Sequence, residues 1–328
     1  MTTTLKPHVR QRLDRLRLRH LRLLQLVSQH GSLGAAAEQL GVSQPATSLL
    51  LQELEKVFGA VLVTRGVRGA ALTVAGQRTL DRLSIALASV DNAMLAARTP
   101  SVEPLLRVGC AQVAAFDVVA RTVSRMQAAG VGGRFAVNEG ETLALLEDLT
   151  RGRLDCVIGW LDEKAIDLAT THDLTVENMI SGRMCVIASA GNALTARSAV
   201  RVSELVSRPW VITRPGSRTY ASFRQLFVSN NCEVPIHKVE CASIHSGIHI
   251  VSQSDMLGMA PDRLVEEYTA LGLVRQLRGP QLALTSGRLS LFAPPGADSI
   301  GPFKAFAAEL RLASHRKATA SRAIKPRR

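Results

Sequence analysis

What this sequence lacks narrows it first. No apolar run approaches the roughly 20 residues that a membrane-spanning helix needs, so no membrane is expected among its partners. The N-terminus carries positive residues but no apolar core with a small-residue cleavage site behind it. That argues against a secretion signal and for a cytoplasmic protein. No G-x-S-x-G, Walker loop, H-E-x-x-H or G-x-G-x-x-G occurs, which argues against an enzyme. The five cysteines (Cys110, Cys156, Cys185, Cys232, Cys241) are odd in number and form no C-x-x-C pair. Three sit inside apolar strand-like runs, which reads as buried thiols in a reducing compartment.

Charge is present, and its placement is informative. The 328 residues carry a net +13. Residues 1–98 account for +7, residues 99–310 for −1 and residues 311–328 for +7. A basic N-terminal part on a neutral body suggests a polyanion-binding module joined to something with a different ligand. The length favours two or three domains, and 46 % apolar against 20 % charged residues favours globular structure over disorder.

The N-terminal periodicity predicts a helix-turn-helix with a wing. Residues 1–17 are a basic extension (Arg10, Arg12, Arg15, Arg17). Leu18, Leu21, Leu24, Leu26 and Val27 recur at helical spacing, so a first helix runs to about Gln29 and Gly31 ends it. Ser32 caps a short second helix over Ala35–Leu40 that Gly41 stops. Ser43 caps a third helix, with Pro45 in its first turn, where a missing N–H costs little; Gly59 closes it after Phe58. Thr47, Leu51, Leu54 and Phe58 form an inward stripe, with Pro45, Ser48, Leu49 and Gln52 opposite or flanking. The apolar pieces 61–63 and 71–72 around Arg65, Gly66 and Arg68 read as a β-hairpin. Thr73 caps a long helix over residues 74–98 with Leu80, Leu83, Leu87, Val90 and Leu95 along one face.

From Leu105 the pattern changes to apolar strands alternating with helices: Leu105–Cys110, Arg134–Val137, Asp155–Gly159, Met184–Ala188, Trp210–Thr213, Met256–Ala260 and Leu289–Phe292. This predicts an α/β region of mostly parallel sheet, better divided into two small sheets than built as one. The last residues, 313–328, are basic and lack apolar periodicity, so they read as a solvated tail.

The third helix offers chemistry suited to DNA. Its N-terminal end presents free N–H groups to phosphate. Gln pairs with adenine, Ser hydrogen-bonds several base edges, and an outward Leu49 suits a thymine methyl. The expected DNA-contacting residues are Ser43, Gln44, Pro45, Thr47, Ser48, Leu49 and Gln52, with Arg65 and Arg68 from the hairpin.

Gly31-Ser32-Leu33, Ala36-Ala37-Glu38-Gln39-Leu40, Val42-Ser43-Gln44-Pro45-Ala46, Glu53-Leu54-Glu55, Leu62, Arg65, Arg68-Gly69, Leu72-Thr73 and Ala75-Gly76 together resemble the N-terminus of LysR-type transcriptional regulators. Leu106-Arg107-Val108-Gly109, Glu139-Gly140, Gly152, Leu154-Asp155, Pro209-Trp210-Val211-Ile212 and Gly258-Met259-Ala260-Pro261 match further family landmarks in order. The resemblance covers roughly residues 18–310. The family often has basic residues where Leu49 and Gln52 stand, so here the charge moves to the wing and the N-terminal arm.

The resemblance implies a winged helix-turn-helix domain (18–75), a dimerisation helix (74–98) and an effector-binding domain (104–312). That domain is expected as two Rossmann-like α/β subdomains, 104–170 with 271–312 and 171–270, like a periplasmic binding protein. It further implies a homodimer, as a rule paired into a homotetramer, on double-stranded DNA with an interrupted inverted repeat. RNA polymerase is a partner if the protein activates. No cofactor or metal is expected; a small effector is. Ligands of parallel α/β folds sit at the carboxyl ends of strands, which makes Gln112, Val113, Glu139, Trp160, Thr213, Ser217, Ser243 and His245 the effector-site candidates. Arg214 and Arg218 make an anionic effector plausible, although such loop arginines also serve surfaces and interfaces. Cys241, His245 and His249 stand four apart, but a strand ending at Cys241 leaves only the two histidines on one helical face. An enzyme or solute-binding protein and a DNA-coating protein without sequence preference remain the alternative classes.

Overall fold

The computed structural model describes residues 16–66, 69–98, 103–282 and 284–315. The chain divides into two compact units. Unit 1 holds the chain to Pro104 together with Glu147–Leu154, and unit 2 holds the remainder.

In unit 1, α1 (Leu18–His30) turns His20, Leu23, Leu24 and Val27 inward at helical spacing. The helix α2 runs over Leu33–Leu40, two residues longer at its start than the sequence suggested. The Ser32 Oγ accepts from the N–H groups of Gly34 at 3.2 Å and Ala35 at 3.4 Å, satisfying amides that have no partner inside the helix. In α3 (Gln44–Phe58) the Ser43 Oγ likewise accepts from the Ala46 N–H at 3.4 Å. Its inward stripe is Thr47, Leu50, Leu51 and Leu54. The expectation of Phe58 in that stripe is corrected: 14 positions after Gln44 it lies at the last turn, exposed, while Leu50 fills the core.

The wing pairs β1 (Val63–Gly66) antiparallel with β2 (Gly69–Leu72). Arg68 lies outside the described residues. The helix α4 spans Val74–Arg98. Its Thr73 cap works in two directions: the hydroxyl accepts from the Gly76 N–H at 2.9 Å and donates to the Val61 carbonyl at 2.7 Å. One core of Leu23, Leu24, Leu51, Leu54, Leu62 and Leu80 joins α1, α3, the wing and α4.

Unit 2 contains β3 (Leu105–Cys110), β4 (Arg134–Glu139), β5 (Cys156–Leu161), β6 (Thr175–Ser189), β7 (Val211–Thr213), β8 (Val239–Cys241), β9 (Gly258–Pro261), β10 (Val274–Gln276) and β11 (Leu284–Ala293). A π-helical segment, Ala115–Val119, leads into α5 (Ala120–Ala128). The helix α6 covers Thr142–Thr150, its first turn in unit 2. Then follow α7 (Glu163–Thr171), α8 (Arg218–Val228), α9 (Ile244–Ser252), α10 (Asp262–Ala270) and α11 (Gly301–His315).

Among the described residues, β4, β3, β5, β11, β6, β10 and β9 form one seven-stranded sheet, and β7 pairs with β8. The expectation of a mostly parallel pair of separate sheets is corrected here. Only β3–β4, β3–β5 and β7–β8 are parallel strand pairs; β11 and β6 run antiparallel to their neighbours. The reason is β6, 15 residues long. Its first half pairs with β11 and its second half with β9 and β10, so it threads two lobes with one continuous ladder.

The first lobe gathers β3, β4 and β5 with α5 and α11. The second gathers β7 and β9 around Trp210, Phe223 and Phe227. Leu277 and Leu282 belong to that second core. The tail begins later than expected: α11 carries buried Ala313 and Ser314 before ending at His315.

Candidate functional site

Two surfaces stand out, one in each unit. In unit 1, α3 presents Ser43, Gln44, Pro45, Leu49 and Gln52 to solvent, with Ser48 half-buried beside them. Leu49 is 59 % exposed, a large apolar side chain left in water. Arg65 is exposed on the wing. Thr47 does not join them. It is fully buried and its hydroxyl donates to the Ser43 carbonyl at 3.1 Å, so its assignment as a DNA-contacting residue is corrected to an internal brace of the first turn. Its place on the inward stripe was the signal that should have excluded it.

Two acids fix α3 from behind. The imidazole of buried His20 meets the Glu53 carboxylate at 2.9 Å. Glu55 accepts from the N–H groups of Leu62 at 2.8 Å and Val63 at 3.2 Å, seating the root of the wing. Arg17, Arg19 and Lys56 border a groove beside Leu49. Of these, Lys56 was not singled out in the sequence, because a lone basic residue on a helix carries no positional signal.

In unit 2, the carboxyl ends of β3, β4, β5 and β7 converge on a cavity of about 190 Å³. Gln112, Val113, Glu139, Trp160, Thr213 and Ser217, all singled out from the sequence, line it. So do Thr142 and Arg214, from the same loops, and Arg218. Met184 and Pro261 line it as well and were not anticipated. They sit on β6 and β9, which run antiparallel, so a rule about parallel strand ends does not find them.

Ser243 and His245 fall outside the lining. Their neighbours Ala242 and Ile244 take the place instead. Ser243 is the N-cap of α9. The His245 ring lies against Phe116, centroids 4.6 Å apart, and its Nδ1 is 3.0 Å from the Tyr268 hydroxyl. Burial lowers the His245 pKa, with Glu139 opposing.

The cavity's polar groups are tied down. The Thr142 hydroxyl accepts from the Trp160 N–H at 3.0 Å. The Thr213 and Ser217 hydroxyls are 2.6 Å apart, and Ser217 caps α8 by accepting from the Tyr220 N–H at 3.2 Å. The Arg218 guanidinium lies over the Trp160 ring, 5.2 Å from its centroid, a cation–π distance. Burial pulls the Arg218 pKa down while Asp162 supports the charge; a guanidinium remains protonated through such a shift. The cysteines lie apart from this chemistry. Cys110, Cys156 and Cys185 are buried, and burial pushes the Cys110 and Cys185 thiols up to about 12. Cys241 donates to the Ile212 carbonyl at 3.6 Å and His245 is engaged with Tyr268, so these two do not converge. No helix among the described residues is long and apolar enough to cross a membrane.

Comparison with known proteins places both parts of the chain in one family. Residues 18–77 match the family model for the bacterial regulatory helix-turn-helix protein, lysR family, and residues 101–313 match the LysR substrate binding domain. The chain is 26 % identical over 256 residues to the uncharacterized HTH-type transcriptional regulator YdcI of Escherichia coli (strain K12), covering 77 % of this chain and 82 % of the relative. It is 25 % identical over 244 residues to the HTH-type transcriptional regulator TdcA of the same strain, covering 74 % and 76 %. Among solved structures, ArgP from Mycobacterium tuberculosis aligns with a TM-score of 0.65 at 15 % identity, covering 92 % of this chain and 98 % of that one, a likeness of fold.

Proposed function

The chain belongs to the LysR family of DNA-binding transcriptional regulators with an effector-binding domain, and on that premise we propose how its own residues divide the work. It is a regulator and not an enzyme. The N-terminal turns of α3 enter the major groove. Gln44 and Ser48 read base edges, Leu49 meets a thymine methyl, and Ser43, Pro45 and Gln52 pack along the backbone or the flanking bases. Arg65 and Arg68 extend the contact to phosphates or the adjacent minor groove. The observation that carries this reading is the exposure of Leu49 in line with Gln44, Ser48 and Gln52 on one face of a capped helix.

The working divisions follow: residues 18–75 for DNA, 74–98 as a linker and dimerisation helix, 104–312 for sensing, with basic arms at both ends. Two copies pair through α4 and two pairs assemble into a tetramer. A dimer matches two half-sites of an interrupted inverted repeat about one helical turn apart, or a multiple of it. Where the protein activates, RNA polymerase is the next partner. A small effector binds in the unit 2 cavity, against Gln112, Val113, Glu139, Trp160, Thr213 and Ser217.

Footprinting on mapped genomic sites tests this. A short, phased, two-half-site footprint is the expected result; uniform coverage indicates binding without sequence preference. Replacing Gln44 or Ser48 by Ala costs about 1–3 kcal/mol on the cognate site and relaxes specificity. Equal loss on random DNA contradicts base readout.

A further inference from the structure

We infer that the effector is a small zwitterion of the amino-acid type, its carboxylate held on the Arg218 side of the cavity and its ammonium on the Glu139 side. The inference rests on the reading that the unit 2 cavity binds the effector, and it names the ligand class.

The charges lining the cavity are sorted by lobe. The first lobe contributes Glu139, at the end of β4, and Glu141 just after it; the second contributes Arg214, just after β7, and Arg218, at the start of α8. The cavity is formally neutral but dipolar across its width. A ligand carrying both signs matches it in one orientation. A plain carboxylic acid brings no positive group to Glu139 and Glu141, and a plain amine brings no negative group to Arg214 and Arg218. Unmatched charge is one means of rejecting a wrong ligand.

Arg218 is built in rather than draped over the surface. Its guanidinium stacks on Trp160 of the first lobe. It also occupies the space beside Gly287 on β11, where its Nη2 lies 2.2 Å from the position a Cβ would take. Gly287 has φ +96°, and the β11–β6 register shifts at this point. Glycine is required there both by the backbone and by the guanidinium that fills the vacant side. A cation fixed in orientation by a ring and a backbone presents its planar fork to a carboxylate with little further ordering cost. The Thr213 and Ser217 hydroxyls stand at the same end.

Size and walls restrict the rest of the ligand. The cavity, of about 190 Å³, suits a ligand of amino-acid size. Val113, Trp160, Met184 and Ile244 provide an apolar surface for its side chain.

The test uses the full-length protein in isothermal titration calorimetry and thermal-shift assays. The panel is the proteinogenic amino acids, each with its deaminated acid and decarboxylated amine, plus a general library of sugars, aromatics and non-ionic metabolites. The expected result is one or a few amino acids that bind, with the matched acid and amine at least tenfold weaker. Glu139→Gln should then bring amino acid and matched acid within about threefold, and Arg218→Lys should weaken the amino acid at least tenfold. Circular dichroism and DNA affinity of each variant separate these effects from misfolding, and the wild-type panel stands without them. Tightest binding by an acid, an amine or an uncharged compound overturns the zwitterion while leaving an effector cavity. The same follows if Glu139→Gln keeps the wild-type preference. No binding by any compound overturns both readings.

Discussion

The Nε2 atom of His20, a side chain only 2 % exposed, lies 2.9 Å from the Glu53 carboxylate on α3. Through this contact α1 fixes the axial rotation of α3, and so which of its side chains face outward. On the other side of the ring, Nδ1 meets the backbone at the start of α1, 2.9 Å from the Arg17 N–H. His20 is thus both a core residue and a helix cap. His20→Ala should lose about 2–4 kcal/mol, since it removes buried volume and leaves an amide without its partner. Glu53→Ala should lose no more than about 1 kcal/mol, because that carboxylate is largely in water. Thermal unfolding of the two variants, with the domain 18–98 followed by its own transition, checks the ranking. Equal losses would show the pair, and not the buried ring, to be the stabilising unit.

Glu55 should govern the wing. Its carboxylate is the acceptor for the Leu62 and Val63 N–H groups, and Leu62 is fully buried. Glu55→Ala leaves two amides unpaired and should cost about 1–3 kcal/mol. Glu55→Gln keeps an acceptor oxygen and should recover more than half of that. DNA affinity measured against salt gives a second readout: a loosened wing withdraws Arg65, so the Ala variant should show a shallower salt slope, by about one unit for each lost phosphate contact.

The buried thiols make a pH prediction. Cys110 and Cys185 ionise near 12 in the folded chain, against 9.0 when exposed, because burial disfavours the thiolate. The folded pKa lies above the unfolded one. Their contribution to stability is therefore complete below about pH 9 and is lost between pH 9 and about 12, as the unfolded chain alone releases protons. Melting temperatures should fall more steeply above pH 9 in the wild type than in a Cys110→Ala, Cys185→Ala chain. Alkylation by iodoacetamide at pH 8 should modify these two only on unfolding. Rapid labelling in the native state contradicts the burial.

Much of this was legible in the sequence, for physical reasons. Ser32, Ser43 and Thr73 announce helix starts because their hydroxyls satisfy N–H groups that no helix can pair internally. The cavity loops were legible because strand ends follow from the period of apolar residues. The first half of β6 was not. Residues 175–179 are all exposed or half-exposed, and Glu177 there pairs with Arg311, so no apolar period marks the strand. The antiparallel crossover, and with it Met184 and Pro261 in the cavity, depends on hydrogen bonds between residues more than 70 positions apart. Local pattern cannot register such pairing. His245 illustrates the converse error. It follows a strand end at the expected spacing, yet Phe116 and Tyr268 hold its ring elsewhere.

The approach of the wing to α4 gives a sharp contrast between two glycines. A Cβ on Gly76 would stand 2.0 Å from the Leu62 carbonyl oxygen, which is backbone and cannot swing aside. Nothing lies within 4 Å of a Cβ built on Gly59. Gly59→Ala should therefore cost only the backbone penalty of its left-handed conformation, about 1 kcal/mol. Gly76→Ala must displace either the first turn of α4 or the strand that begins at Val63, and should cost about 3 kcal/mol or more. The Glu55 hydrogen bonds to Leu62 and Val63 lie on the same stretch, so displacement there breaks them too. Combining Gly76→Ala with Glu55→Ala should accordingly give less than the sum of the separate losses, whereas Gly59→Ala with Glu55→Ala should be closer to additive. A double-mutant cycle by chemical denaturation measures both. Full additivity in the first pair would mean that the wing and the start of α4 move independently.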